Sequence, residues 1–409
     1  MRPGAPIPPL KVVQAALHKT TERLACELVK PTPTAPQWSE FEWHTARAVS
    51  AMHGVSALLA RHLRWQGPAG WQSFLAEQRD HTEKRQQRLQ RLLDELSLQA
   101  GAAGIPIVAL KGAALHSLGL YSCGERPMAD LDILVRAADV ERTSRLLEGF
   151  GFSERAAYWR HRSFSPADES TRSNLGEHAD NYIKIELHER IREALPLHKT
   201  ELSDFIFPSD ARPGLNPYPS NAALMAHLLL HAAGGMVMRA LRLINLHDIA
   251  LLAARLSAAD WEKIVRLGAD GTGPWWALPP LMLTSRYYAG AIPQSVLAAL
   301  KPSCPRLLRW SMQRRRISDV SLSFLWIEAF PGIGWSRSMR EMAQYIGKRI
   351  RPDTEMMSTR HSLAASEPGL AVNPWTHLRQ HTRILRWVAS KPPRPATMYA
   401  VRAALEVRV

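Results

Sequence analysis

The chain has 409 residues, 46% of them hydrophobic and 22% charged, an ordinary balance for a globular protein with room for two or three domains. Its net charge of +15 favours anionic partners (nucleotides, nucleic acid, acidic peptides or a membrane surface) and carries no information about fold. Cys26, Cys123 and Cys304 are far apart, odd in number and free of any CxxC pair, which excludes a disulfide framework and a cysteine zinc site and suits a reducing cytoplasm.

Residues 1–37 turn rich in Pro and Thr towards their end and read as a flexible lead-in without the apolar segment of a secretory leader. Over 38–100 the residues Val49, Met52, Val55, Leu58 and Leu59 recur at helical spacing. Gly67-Pro68 breaks that run, and a second helix follows whose face at Glu83-Lys84-Arg85 is expected to be solvated. The texture changes over 101–215. A short apolar run at 104–110 predicts a buried strand, Lys111-Gly112 a turn into a helix over 113–118, and 128–135 a second strand. A helix over 138–147 and an alternating strand over 181–188 come next. This alternation predicts a small α/β unit with a mixed sheet. The polar segment 157–178 is a loop or hairpin bordering the site. Residues 216–350 return to helices, over 221–233, 240–256 and 259–267. Residues 351–409 are a weakly patterned tail with one helix over 375–388. The expected fold class is therefore α+β, a small mixed-sheet core flanked by N- and C-terminal helical regions. No apolar run reaches the ~18 residues of a membrane span, and His227 and His231 interrupt the longest one.

The chemistry concentrates at 128–135, Met-Ala-Asp-Leu-Asp-Ile-Leu-Val. Asp130 and Asp132 are two apart, so in a strand they point to the same side. Two buried acids on one face repel each other and lose hydration, objections that a bound divalent cation removes. Hard oxygen donors suit Mg²⁺ (or Mn²⁺) together with substrate phosphates. Nucleotidyl transfer further needs a tight turn that lets backbone amides approach a triphosphate, a cation facing it, and a third carboxylate. Lys111 and Gly112 supply the first two, and Glu186 the third, as metal ligand or as base for an acceptor hydroxyl.

At these residues the chain resembles the polymerase-beta-like nucleotidyltransferase superfamily, whose signature is a glycine turn, a Dx(D/E) strand and a third carboxylate on a later strand. It is closest in pattern to the bacterial uncharacterised nucleotidyltransferase family, whose LKG, RxxxD[IL]D[IL]LV and [DE]LH motifs read here as Leu110-Lys111-Gly112, Arg126 to Val135 and Glu186-Leu187-His188. The DxD pair alone is weak; the three motifs in this order are strong together. Gly112-Ala113 stands where the superfamily has Gly-Ser, so no serine hydroxyl serves phosphate there. The resemblance implies a metal-dependent enzyme that moves a nucleotidyl group from an NTP, expected to be ATP, to a hydroxyl or phosphate. It assigns Asp130, Asp132 and Glu186 to catalysis and metal, and Lys111, Gly112, Arg126 and His188 to the nucleotide. Because such genes often accompany those for ribosomally made peptides, lasso peptides included, it makes a peptide acceptor plausible. RNA, for instance a tRNA end, is the alternative that the charge supports. A non-catalytic nucleotide-binding or scaffold protein is the alternative of another class, and phosphoryl or glycosyl transfer at the same acids also stays open.

Plainer roles stand beside these. Lys184 can simply pair with Glu186, and Arg126 can neutralise Asp130 instead of binding phosphate. His188 can be a packed histidine, or can support Glu186. His227 and His231, spaced i,i+4, form a metal pair only with an acidic third ligand, so packing is favoured. Asp248 is either structural or closes the pocket, and Trp275, Trp276 and Trp326 belong to the core more readily than to a base-stacking site.

Overall fold

The computed structural model describes residues 7–169, 175–268, 273–352 and 379–406. The first four helices are α1 (Leu10–Val29), α2 (Glu40–Met52), α3 (Ser56–His62) and α4 (Ala69–Ala102). α1 lies where a loose lead-in is expected. Val13, Leu17, Leu24 and Leu28 are buried along one face of it, so its order comes from packing. The Pro- and Thr-rich composition that suggested looseness belongs only to the connection beyond it. α2 starts with a capping box, Ser39 and Glu42 satisfying each other's backbone amides.

The α/β part follows as β1 (Pro106–Ala109), α5 (Gly112–Ser117), β2 (Asp130–Leu134), α6 (Val140–Gly149), β3 (Phe152–Ala157), β4 (Arg162–Pro166) and β5 (Lys184–His188). Then come β6 (Arg192–Leu195), β7 (His198–Glu201), α7 (Ser203–Ile206) and β8 (Gly214–Asn216). Six strands form one mixed sheet in the order β3-β4-β5-β2-β1-β8, and β6 and β7 make a separate hairpin. β2 runs parallel to β5 and antiparallel to β1. Of the polar segment 157–178, β4 and the turn before it form a hairpin with β3, a strand that lies ahead of that segment and was not expected, and the hairpin extends the sheet beside β5. Residues 170–174 of that segment lie outside the described residues.

The sheet has two apolar sides. Ile107, Leu131, Ile133, Phe164, Ile185 and Leu187 pack against Leu89, Leu93 and Leu96 of α4 and Leu147 of α6. Val108, Leu110 and Leu134, on the opposite face, join the large helical core. That core draws on α8 (Asn221–Val237), α9 (Leu243–Ala253), α10 (Ala258–Val265), α11 (Leu278–Tyr287), α12 (Gln294–Leu300) and α13 (Arg306–Met312). α8 is buried nearly all round, as a helix apolar on every side must be. Trp275 and Trp276 are core residues, and Trp326 packs against the same core.

α14 (Met339–Ile350), α15 (Gln380–Ser390) and α16 (Pro395–Glu406) complete the described chain. The helix expected over 375–388 is seen from Gln380, its first residues lying outside the described set. α16 returns to the N-terminal helices, burying Val401, Ala404 and Leu405, and His44 Nδ1 lies 2.8 Å from the carbonyl of Ala404. Among the described residues no helix is long and apolar enough to cross a membrane.

Candidate active site

The pleat decides which side chains meet. On β2, Leu131 and Ile133 point to the α4 side, so Asp130 and Asp132 point to the opposite face, towards α8. β5 does the same with Lys184, Glu186 and His188. The parallel register sets Asp130 beside Lys184, Asp132 beside Glu186 and Leu134 beside His188. The three expected carboxylates therefore share one sheet face, although Glu186 is distant in sequence.

Lysines and histidines surround them. Lys111 Nζ lies 2.8 Å from Asp132 Oδ1, and His188 Nε2 lies 3.0 Å from the same oxygen. Lys184 Nζ donates to Glu186 Oε1 at 2.5 Å. Asp130 has no side-chain hydrogen bond or ion pair among the described residues, and burial with the neighbouring Asp132 and Glu186 charges pushes its carboxyl up to about 6. Burial also opposes ionisation of Asp132, but Lys111 and His188 outweigh it and hold that carboxyl well below the usual range. Three acids thus face two ammonium groups, with Asp130 left uncompensated. That excess of negative charge is of the kind a divalent cation offsets, and among the described residues His161, Glu186 and His188 are the group whose ligand atoms all lie within 4.8 Å of one another.

Two expected phosphate contacts lie differently from their sequence-based roles. Arg126 lies against Gly112, and although the Asp130 charge acts on it, its ion pair is with another acid. Its Nε and Nη2 each lie 2.8 Å from a different oxygen of Asp248 on α9, and Tyr121 Oη donates to Asp248 Oδ1 at 2.6 Å. This buried, bidentate pair ties the segment before β2 to the helical region. Gly112 packs against that anchor. A Cβ there would sit 2.8 Å from Met128 Sδ and collide with the Arg126 guanidinium. The unusual backbone belongs to Lys111, whose φ of 46° lies in the left-handed region that side chains disfavour. Its amide donates to Tyr218 Oη at 3.3 Å, and that oxygen lies 2.7 Å from His227 Nδ1 on α8. His227 thus supports the strained turn. Burial keeps it and His231, whose value falls to about 3, neutral.

Sequence reasoning missed three contributors. Arg85, read as part of a solvated face, is 3% exposed. It donates to the carbonyls of Met128, Ala129, Asn181 and Tyr182 at 2.7–3.0 Å, clamping the entries to β2 and β5. His161 ends the β3–β4 turn with Nε2 3.5 Å from Glu186 Oε1, at a distance in sequence that no motif spans. Glu193 on β6 is buried beside Arg160, 2.5 Å away, and burial raises its carboxyl to about 7 against the pull of Arg160 and Lys111. A cavity of about 90 Å³ lies among these groups, walled by Lys111, Arg160, Arg192, Glu193, His227 and His231. It has room for a few waters or an ion; a nucleotide would have to lie across its mouth.

The acidic sheet face thus lies in a cation-lined cleft, on a mixed sheet flanked by helices. The sequence pattern of the uncharacterised nucleotidyltransferase family matches residues 39–270, and the chain belongs to that family. No curated protein and no solved structure matches it.

Proposed function

We propose that this protein is a divalent-metal-dependent nucleotidyltransferase that moves a nucleotidyl group from an NTP, with ATP the expected donor, to a hydroxyl or phosphate acceptor. The supporting observation is the register of β2 and β5, which sets Asp132 beside Glu186 with Asp130 uncompensated on the same face. Asp130, Asp132 and Glu186 would hold Mg²⁺ or Mn²⁺, which when bound offsets phosphate charge and acidifies the acceptor hydroxyl. Lys111 Nζ, now on Asp132, would take a phosphate oxygen. A Glu186 oxygen receives the acceptor proton. His188 fixes Asp132 through Nε2. Arg126 acts at one remove, by anchoring the turn through Asp248.

A hydroxyl on a ribosomally made peptide is the favoured acceptor. RNA is the second reading, favoured by the stacking of Arg160, Arg192 and Lys199 around Trp159 at the cleft edge, an aromatic-cationic pattern suited to a single strand. Incubation with each labelled NTP and Mg²⁺, offering peptides from neighbouring genes and total RNA, followed by mass spectrometry, tests the assignment. Labelled product should form with wild type and vanish with Asp130→Ala/Asp132→Ala. Equal behaviour of the two proteins with every acceptor would sink the catalytic reading. RNA binding that falls steeply with added salt would select the second acceptor.

A further inference from the structure

The donors around Glu186 include two imidazoles as well as carboxylates. β4 pairs antiparallel with β5, matching Arg162 to Leu187, so His161 at the end of the preceding turn arrives beside His188. The two rings lie 5.1 Å apart, and ligand atoms of His161, Glu186 and His188 all lie within 4.8 Å of one another. Neighbouring distances are 3.5 Å from His161 Nε2 to Glu186 Oε1, 3.9 Å from His188 Nε2 to Glu186 Oε2, and 3.0 Å from His188 Nε2 to Asp132 Oδ1. An ion with bonds of about 2.0–2.2 Å sets adjacent donors about 3.0–3.5 Å apart, so small side-chain shifts close this shell. The adjoining cavity of about 90 Å³ leaves space for the ion and its waters.

We infer that this cleft holds a first-row transition-metal ion, of the Zn²⁺ type, through His161, His188 and Glu186. The inference rests on the reading that the acidic face binds a divalent cation, and goes past it by naming nitrogen donors. Imidazole nitrogen suits Zn²⁺ and Fe²⁺, whereas Mg²⁺ takes oxygen almost exclusively. His188 would exchange its bond to Asp132 for one to the ion. Lys184, which donates to Glu186 Oε1, would yield that oxygen or leave the ion Oε2.

Co²⁺ titration of the full-length protein, followed by visible absorption and calorimetry, tests this without reference to turnover. Wild type should bind one equivalent with the visible band of a nitrogen-ligated, low-coordinate site. His161→Ala should weaken Co²⁺ at least tenfold and shift that band, while His381→Ala, an exposed histidine elsewhere, should change neither. His161 is in a half-buried turn, and circular dichroism confirms that its variant folds. His188→Ala gives the same reading at the second nitrogen. A missing band, or a band and affinity that both histidine variants leave intact, overturns the inference. Mg²⁺-dependent NTP turnover that Asp130→Asn abolishes, in a protein without that Co²⁺ band, would overturn it while leaving the proposed function standing.

Discussion

At the residue scale, Asp130 bears the electrostatic cost of the site. Its folded value near 6 lies above the ordinary 3.8, so the unfolded chain releases its proton first as pH rises. Stability is therefore lost between about pH 4 and 6, and the full penalty applies above that window. Asp130→Asn in chelator-treated protein should raise stability at pH 7.5 by an amount on the order of 1–3 kcal/mol and leave it nearly unchanged at pH 4, by thermal melts at both pH values. A variant no more stable at pH 7.5 would mean that the acid is compensated. Arg126 and Asp248 give a prediction of opposite sign. Asp248→Ala strands a buried guanidinium and should cost about 3–5 kcal/mol in denaturant unfolding. Arg126→Met/Asp248→Leu should recover much of that loss, because neither charge is then left alone. Both aspartates of β2 were legible from their alternation among apolar neighbours; the partner of Arg126 was not, because an ion pair between a loop and a distant helix leaves no local pattern.

At the scale of elements, the site depends on how β2 and β5 are held side by side. Arg85, reaching from α4 to four carbonyls at the entries of these strands, carries that job. Arg85→Ala would remove this donor from all four carbonyls, leaving Asn181 O only Arg88, and should cost about 2–4 kcal/mol in a denaturant melt and reduce metal binding as well. A melt within 0.5 kcal/mol of wild type, about the effect of an ordinary surface change, would show that the clamp is dispensable. The charged run Glu83-Lys84-Arg85 looked solvated because one helical turn of sequence does not reveal which residue faces the sheet. β1 was readable as a short apolar run and β2 and β5 from alternation, while a hairpin over 157–178 was one of two options and β3, ahead of that segment, was not read. The β6–β7 hairpin, whose strands are short and carry Arg192, Glu193, His198 and Lys199, lacked the apolar alternation that marks a strand.

At the scale of the whole molecule, one core joins segments from both ends of the chain, from Val13 of α1 to Leu405 of α16. The match to the nucleotidyltransferase family covers 39–270, so α1 and α16 lie outside it and still pack on α2. Truncation after residue 352 would uncover the face that Val401, Ala404 and Leu405 cover. Each fully buried apolar side chain of this size is worth about 1.5–3 kcal/mol, so the truncated protein should melt markedly lower or aggregate. An unchanged melting temperature would show that the closing helix adds little.

The sequence by itself determined that Asp130 and Asp132 share one side of a strand, because DxD alternation is a local pattern that the pleat converts directly into one face. It also determined the mixed α+β class, since periodicity is a property of neighbouring residues. Only the tertiary structure decided that Arg126 grips Asp248, that Arg85 holds the strands, that Lys111 rather than Gly112 takes the left-handed backbone, and that His161 comes to Glu186 and His188. Each of these depends on strand register or on packing between remote segments, and neither is written in the spacing of adjacent residues.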